Sequence, residues 1–182
     1  MMPPLLRPAL RRRMEHMSED ADEFPVRGVG PIDGIFDKDP EESRLLRLMA
    51  RDAQEYLQGF NWCRGIREGY FGGGFGGVVA VFLFRIFPAR PGVDEWLWVV
   101  VGDLPPAYLV TDVSETPSQA LESYVREMSR WIQQIKRGRR SEDVIEVNMD
   151  PTWENAESLQ DRLRIISEAI VPAFEAREAV LP

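Results

Sequence analysis

Val78-Val79-Ala80-Val81-Phe82-Leu83-Phe84 and Trp96-Leu97-Trp98-Val99-Val100-Val101, followed at once by Gly102-Asp103-Leu104-Pro105-Pro106-Ala107-Tyr108, are the stretches whose reading decides the fold. A strand with one wet face alternates apolar and polar side chains, so runs without a polar residue read as strands buried on both faces. The connection through Ala89-Arg90-Pro91-Gly92 is too short for a crossover, which makes the two strands antiparallel neighbours inside the protein.

Working outward, residues 61–70 shift toward a strand pattern, with Trp62, Ile66 and Tyr70 set among Arg64, Arg67 and Glu68. The segment Gly69-Tyr70-Phe71-Gly72-Gly73-Gly74-Phe75-Gly76-Gly77 then reads as a hairpin or bulged turn, with Phe71 and Phe75 packing over an edge. A phosphate cradle is the wrong reading for these glycines. Such a loop leads from a strand into a helix and its commonest form carries a lysine, whereas here the glycines lead into a strand with no lysine nearby. Past the double proline, Ala107–Thr111 has the pattern of a further short strand.

Three helices flank these strands in the sequence. Asp39-Pro40-Glu41-Glu42 supplies a cap, a proline for the first turn and a glutamate three residues on. Leu45, Leu46, Met49, Ala53, Tyr56 and Phe60 then share one face, and Gly59 is expected to end the helix in a left-handed conformation. Thr116-Pro117-Ser118-Gln119 opens a second helix with Leu121, Tyr124, Val125, Met128, Ile132 and Ile135 on one stripe. Lys136 and Arg137 sit at its carboxyl end, and Gly138 stops it. Val144, Ile145 and Val147 are expected to form a brief edge strand before Pro151. The last helix starts after Thr152, turns Ala156, Leu159, Leu163, Ile166 and Ile170 inward, and is expected to end around Pro172.

The expected fold is therefore α+β: an antiparallel sheet of three to four strands around a buried central hairpin, covered by one N-terminal and two C-terminal helices. A chain of 182 residues with 44% hydrophobic content suits one core. The domain is expected at 39–175, after a poorly ordered leader and linker at 1–38 and before a tail at 176–182. Residues 18–38, with Pro25, Pro31 and scattered apolar side chains, have the composition of a linker or surface-draped arm. The leader carries Arg7, Arg11, Arg12 and Arg13, with Arg7 and Pro8 breaking what a signal peptide would need as its apolar part.

Lone Cys63 forms no internal disulfide and reads as a small core hydrophobe, in keeping with a reducing cytoplasm. No stretch approaches the roughly 20 apolar residues that span a bilayer. A formal net charge of −8 argues against nonspecific binding to nucleic acid or anionic membranes, and it allows a basic protein as partner.

His16, in the leader, is the only histidine, so a serine triad, a cysteine–histidine pair and histidine zinc sites each lack a member. Lys38 and Lys136 are the only lysines, which leaves carboxylate, arginine and tyrosine chemistry in the main. Asp103 ends the second buried strand and Asp112 ends the next extended segment, so the two acids are expected at one sheet edge with Tyr108. The plainer reading gives Asp103 to the turn and Asp112 to a loop with Glu115. Trp131 and Trp153 read as seals at a core margin, and the run Lys136, Arg137, Arg139 and Arg140 reads as complement to a helix dipole.

Val79-Ala80-Val81-Phe82-Leu83-Phe84-Arg85-Ile86, Pro91-Gly92-Val93-Asp94, Trp98 to Tyr108 and Ala120-Leu121-Glu122-Ser123-Tyr124-Val125 together resemble a family of small bacterial proteins, over about residues 60–170. Gly102-Asp103-Leu104-Pro105-Pro106-Ala107-Tyr108 is the most specific part; the leader and the glycines at 72–77 depart from the pattern. The resemblance implies a bacterial cytoplasmic protein and brings no catalytic residue with it.

The first functional expectation is a non-enzymatic protein-binding domain of the immunity or antitoxin type, covering a basic partner through Asp103, Tyr108 and Asp112, with no cofactor and no metal. One alternative is a carboxylate-dependent hydrolase or metal enzyme in which Asp103, Asp112 and Glu68 converge. Another is a sensor that holds an apolar ligand between sheet and helices near Tyr108, Tyr124 and Trp131.

Overall fold

The computed structural model describes residues 24–35, 39–138 and 145–180. The arginine-rich leader, Lys38, Arg139, Arg140 and Val144 lie outside the described residues.

The elements in order are β1 (Gly30–Pro31), a 3-10 turn (Ile32–Gly34), α1 (Pro40–Gln58), β2 (Cys63–Phe75), β3 (Val79–Pro88), β4 (Trp96–Gly102), β5 (Leu104–Val110), a second 3-10 turn (Thr111–Val113), α2 (Pro117–Lys136), α3 (Trp153–Ile165), a π-turn (Ile166–Ile170) and α4 (Val171–Glu178). The strands form one antiparallel meander in the order β1-β2-β3-β4-β5. The expected α+β class holds, with five strands in place of three or four.

The buried hairpin is the centre of the molecule. Val79↔Gly102 to Arg85↔Trp96 pair β3 with β4 in unbroken register, and every residue of β3 from Val79 to Phe84 is at 0% exposure. Alternation sends Val79, Val81 and Leu83 to one face with Trp98 and Val100, where Leu121, Tyr124 and Met128 of α2 and Leu159 and Leu163 of α3 cover them. Ala80, Phe82 and Phe84 go to the other face with Leu97 and Val99, under Leu46, Met49, Ala50, Ala53 and Leu57 of α1. A helical layer on each side is what two non-alternating strands demand.

Several elements differ from the sequence reading. The glycine run is strand rather than turn: β2 continues to Phe75 with register breaks between Ile66 and Glu68 and between Phe71 and Gly73, and the hairpin turn is Phe75–Val78, closed by Val78 N–H to the Phe75 carbonyl at 3.0 Å. Glycine is needed for close approach. A Cβ on Gly72 would stand 2.9 Å from Pro117 at the start of α2, and one on Gly73 3.0 Å from the Phe174 ring of α4. Gly76 N–H donates to Glu42 at 2.6 Å, so the glutamate expected to complete the α1 cap instead ties the hairpin to that helix, while the Asp39 carboxylate accepts from Glu41 N–H at 2.9 Å.

Gly59 is right-handed (φ −68°), because the chain leaves α1 through the tight turn Phe60–Trp62, whereas Gly138 ends α2 at φ +63° as expected. Ile145–Val147 pairs with no strand among the described residues; Ile145 instead buries its side chain on the α2 side. Pro172 does not end the last helix. The π-turn widens the backbone just ahead of it, which accommodates a residue without an N–H, and the helix runs to Glu178, beyond the expected boundary at 175. There Glu178 accepts from Ser118 N–H at 2.7 Å and from the Ser118 hydroxyl at 2.6 Å, closing the amino end of α2. The arm before α1 is draped on the body rather than free: Gly30–Pro31 pairs with β2, and Val26 and Ile35 are buried.

Gly102 has φ +153°, and a Cβ there would lie 2.1 Å from the Val78 carbonyl oxygen. Gly102→Ala is expected to cost about 2–4 kcal/mol in urea unfolding, through overpacking and a backbone conformation that alanine resists. Gly77→Ala, with φ +74° and nothing within 4 Å of its Cβ, is the control and should cost only about 1 kcal/mol.

Candidate functional site

The sheet has two edges of different kinds. β1 shields part of one with two paired residues, while β5 ends the sheet on the other side. Pro105 and Pro106 remove two N–H donors from β5, the Tyr56 ring of α1 lies against that of Tyr108 with centroids 6.5 Å apart, and the Tyr124 hydroxyl of α2 donates to the Pro105 carbonyl at 2.7 Å. Both helical layers thus fold side chains over this edge.

Beside it the ends of α1 and α2 leave a groove of about 820 Å³. Tyr56 and Phe60 wall it from the α1 side, Trp131, Gln134, Ile135 and Gly138 from the α2 side, and the chain from Ile145 to Met149 runs along its rim with Pro106 and Pro151. Tyr56 and Phe60 meet edge to face, with centroids 5.1 Å apart and planes at 89°. Phe60 in turn stacks on Trp62 at 4.9 Å and abuts Tyr108 at 5.3 Å, so the aromatic wall is braced from behind by buried rings.

Burial moves the tyrosines. The Tyr56 hydroxyl is pushed up to about 12, with the Tyr108 N–H working in the opposite direction. Tyr108 is raised further by burial, then by Tyr56 and Glu146; Tyr124 is raised most, again chiefly by burial. All three are neutral at physiological pH, so this region offers hydroxyl and π-face chemistry rather than phenolate.

The residues expected to form an acidic edge are separated. Asp103 sits in the β4–β5 turn, where its backbone N–H donates to Val78 and Arg162 reaches both its carbonyl, at 2.9 Å, and its carboxylate, at 3.5 Å. Asp112 lies in the 3-10 turn after β5, exposed, at the far end of the same strand. Seven residues of strand put the two on the order of 20 Å apart. Tyr108 points into the α1-side core with 5% exposure. Glu68 belongs to another group: it accepts from the Tyr70 hydroxyl at 2.7 Å and pairs with Arg85 at 3.3 Å, and Arg85 also pairs with Glu95 and lies over Trp96. The Tyr70 hydroxyl and Arg85 hold Glu68 below the usual carboxylate range. Asp103, Asp112 and Glu68 therefore do not converge, and among the described residues no group of three His, Cys, Asp or Glu side chains stands together as ion ligands would.

Of the residues expected beside an apolar ligand, Trp131 lines the groove, while Tyr108 and Tyr124 are buried behind it. Trp153, expected at a core margin, is 55% exposed with the Lys136 ammonium 5.3 Å from its ring centroid. Sequence reasoning missed Tyr56 and Phe60 as surface groups because they continue the apolar stripe of α1, and it missed Glu146 and Asn148 because their segment resembled a strand. Buried Cys63 has its thiol pushed up by desolvation, which suits an inert core position.

No family model, curated protein or solved structure matches the chain. Among the described residues no helix is long and apolar enough to cross a membrane.

The tyrosines set a pH dependence. Unfolded tyrosine ionises near 10, and the folded protein keeps these protons to higher pH. Their contribution is therefore complete below about pH 10 and is lost as pH rises toward 12, by up to about 1.4 kcal/mol per pH unit for each tyrosine. Denaturant unfolding between pH 9 and 11.5 should show this fall, and Tyr56→Phe should make it shallower. Tyrosinate absorbance rising at pH 10 in the folded protein as it does in urea would contradict it.

Proposed function

We propose that this protein is a non-enzymatic binding domain that takes an apolar organic ligand into the groove beside β5. The observation that carries the reading is the groove itself: its volume falls within the range of small-molecule sites, and its walls are aromatic and aliphatic with a few polar groups at Gln134, Asn148 and Glu146. A braced aromatic wall supports it further, because rings fixed by neighbours lose little freedom when a ligand lands on them. The immunity-type reading, with a basic protein held by Asp103, Tyr108 and Asp112, has less support, since those residues are dispersed and one is buried. The carboxylate-enzyme reading has less still, for want of a carboxylate cluster among the described residues.

The neutral apolar fluorophore N-phenyl-1-naphthylamine tests it. Its emission should rise on saturable, one-to-one binding to the wild-type protein, and Asn148→Trp, at an exposed groove position, should abolish that rise while circular dichroism and the unfolding midpoint stay unchanged. Val147→Trp, on the same rim, should act alike. Absence of a saturable rise, or full binding by both variants, overturns the proposal.

A further inference from the structure

The groove carries a charge preference as well as a shape. Among the described residues Glu146 is the one charged side chain lining it, and no described arginine or lysine does so. Lys136, in the last turn of α2, is turned to Gln160 and the Trp153 ring instead. Both flanking helices end here: Phe60 lies two residues past the end of α1, and Gly138 two past the end of α2. A helix carboxyl end carries about half a negative charge, which favours cations; Lys136 and Arg137 offset part of it at α2, while the last turn of α1 holds no basic residue.

The aromatic walls point the same way. A ring carries its negative quadrupole on its face, so an ammonium group held over tyrosine, phenylalanine or tryptophan is attracted, and more strongly where water is excluded. Tyr56 and Phe60 set two ring planes at 89° on one wall, and Trp131 stands on the other. Glu146, the one carboxylate among the described lining residues, is too few ligands for a hard metal ion, which takes six or more oxygens. An alkylated ammonium needs no inner coordination shell. Its methyl or methylene surface suits apolar walls and its diffuse charge suits ring faces and carbonyl oxygens together.

We infer that the ligand of this groove is a small organic cation, a substituted or quaternary ammonium compound, seated between Tyr56, Phe60 and Trp131 with Glu146 at the rim. This rests on the groove being the binding site, as proposed above. An anionic ligand would meet the Glu146 carboxylate with no described arginine or lysine in the groove lining.

Choline and its uncharged isostere 3,3-dimethyl-1-butanol separate the two claims, used as competitors against bound N-phenyl-1-naphthylamine on the full chain. Choline should displace the fluorophore at a concentration about fivefold or more below that of the alcohol. Glu146→Gln should shrink that ratio, and raising salt should shrink it in the wild type through screening of the exposed carboxylate. Displacement by the alcohol at an equal or lower concentration, or by neither compound, overturns the cation preference and leaves the groove as an apolar site. A wild-type protein that takes up no fluorophore overturns both.

Discussion

The constraint on which everything else depends is that β3 and β4 are apolar on both faces. Neither strand has a side that tolerates water, so the sheet requires a helical layer above and another below. α1 supplies one. α2, α3 and α4 supply the other, and the fold is then largely a question of how those helices reach the sheet. Burial at about 25 cal/mol per Å² of apolar surface makes the two-sided cover the main stabilising term, and a strand slipped by one residue would exchange the side chains facing α1 with those facing α2. Ala80 and Phe82 pack in the cluster under α1, and Val79 and Val81 in the cluster with α2, α3 and α4, so the register decides which layer each side chain meets.

Close approach is the second requirement, and glycine meets it. On β2 the positions facing Pro117 and Phe174 have no side chain, which lets the start of α2 and the end of α4 lie against the strand. The last helix then places Glu178 at the start of α2, where a carboxylate on free backbone donors contributes about 1 kcal/mol. Arg177 lies over Phe71 from the same turn. The helix must pass Pro172 to reach these partners, and the π-turn permits it.

How much of this was legible follows from the range over which each signal acts. The buried pair, the α1 and α2 starts at Asp39 and Thr116, and the Gly138 stop are local, and their residues state them directly. The glycine run misled because glycine marks a turn or a close neighbour equally well, and the neighbours, Pro117 and Phe174, are far away in sequence. Pro172 misled for the same reason, since the reward for continuing the helix is a contact with Ser118. Asp103 and Asp112, expected together at one sheet edge, flank β5, and the length of that strand sets them at opposite ends. Trp131, expected to seal a core margin, lines the groove, while Tyr56 and Phe60 obey the same periodicity as core residues and so carry no local mark of their place in the groove wall.

That rim also explains why a groove lies there. A sheet of five strands must end, and an exposed edge invites another chain to add to it. At β5 the edge is blunted by two prolines and by the Tyr124 hydroxyl on the Pro105 carbonyl, so hydrogen bonding to an added strand is weakened. Side chains from both helical layers fold over this edge, and layers that reach around an edge leave a cleft between their ends. The cleft here is walled by rings and bordered by two helix carboxyl ends, and Glu146 is the one carboxylate lining it among the described residues. Protection of the edge and the chemistry of the groove therefore arise in the same place: Pro106 removes a donor from β5 and also lines the groove, where Tyr56 presents its ring to whatever enters beside the strand.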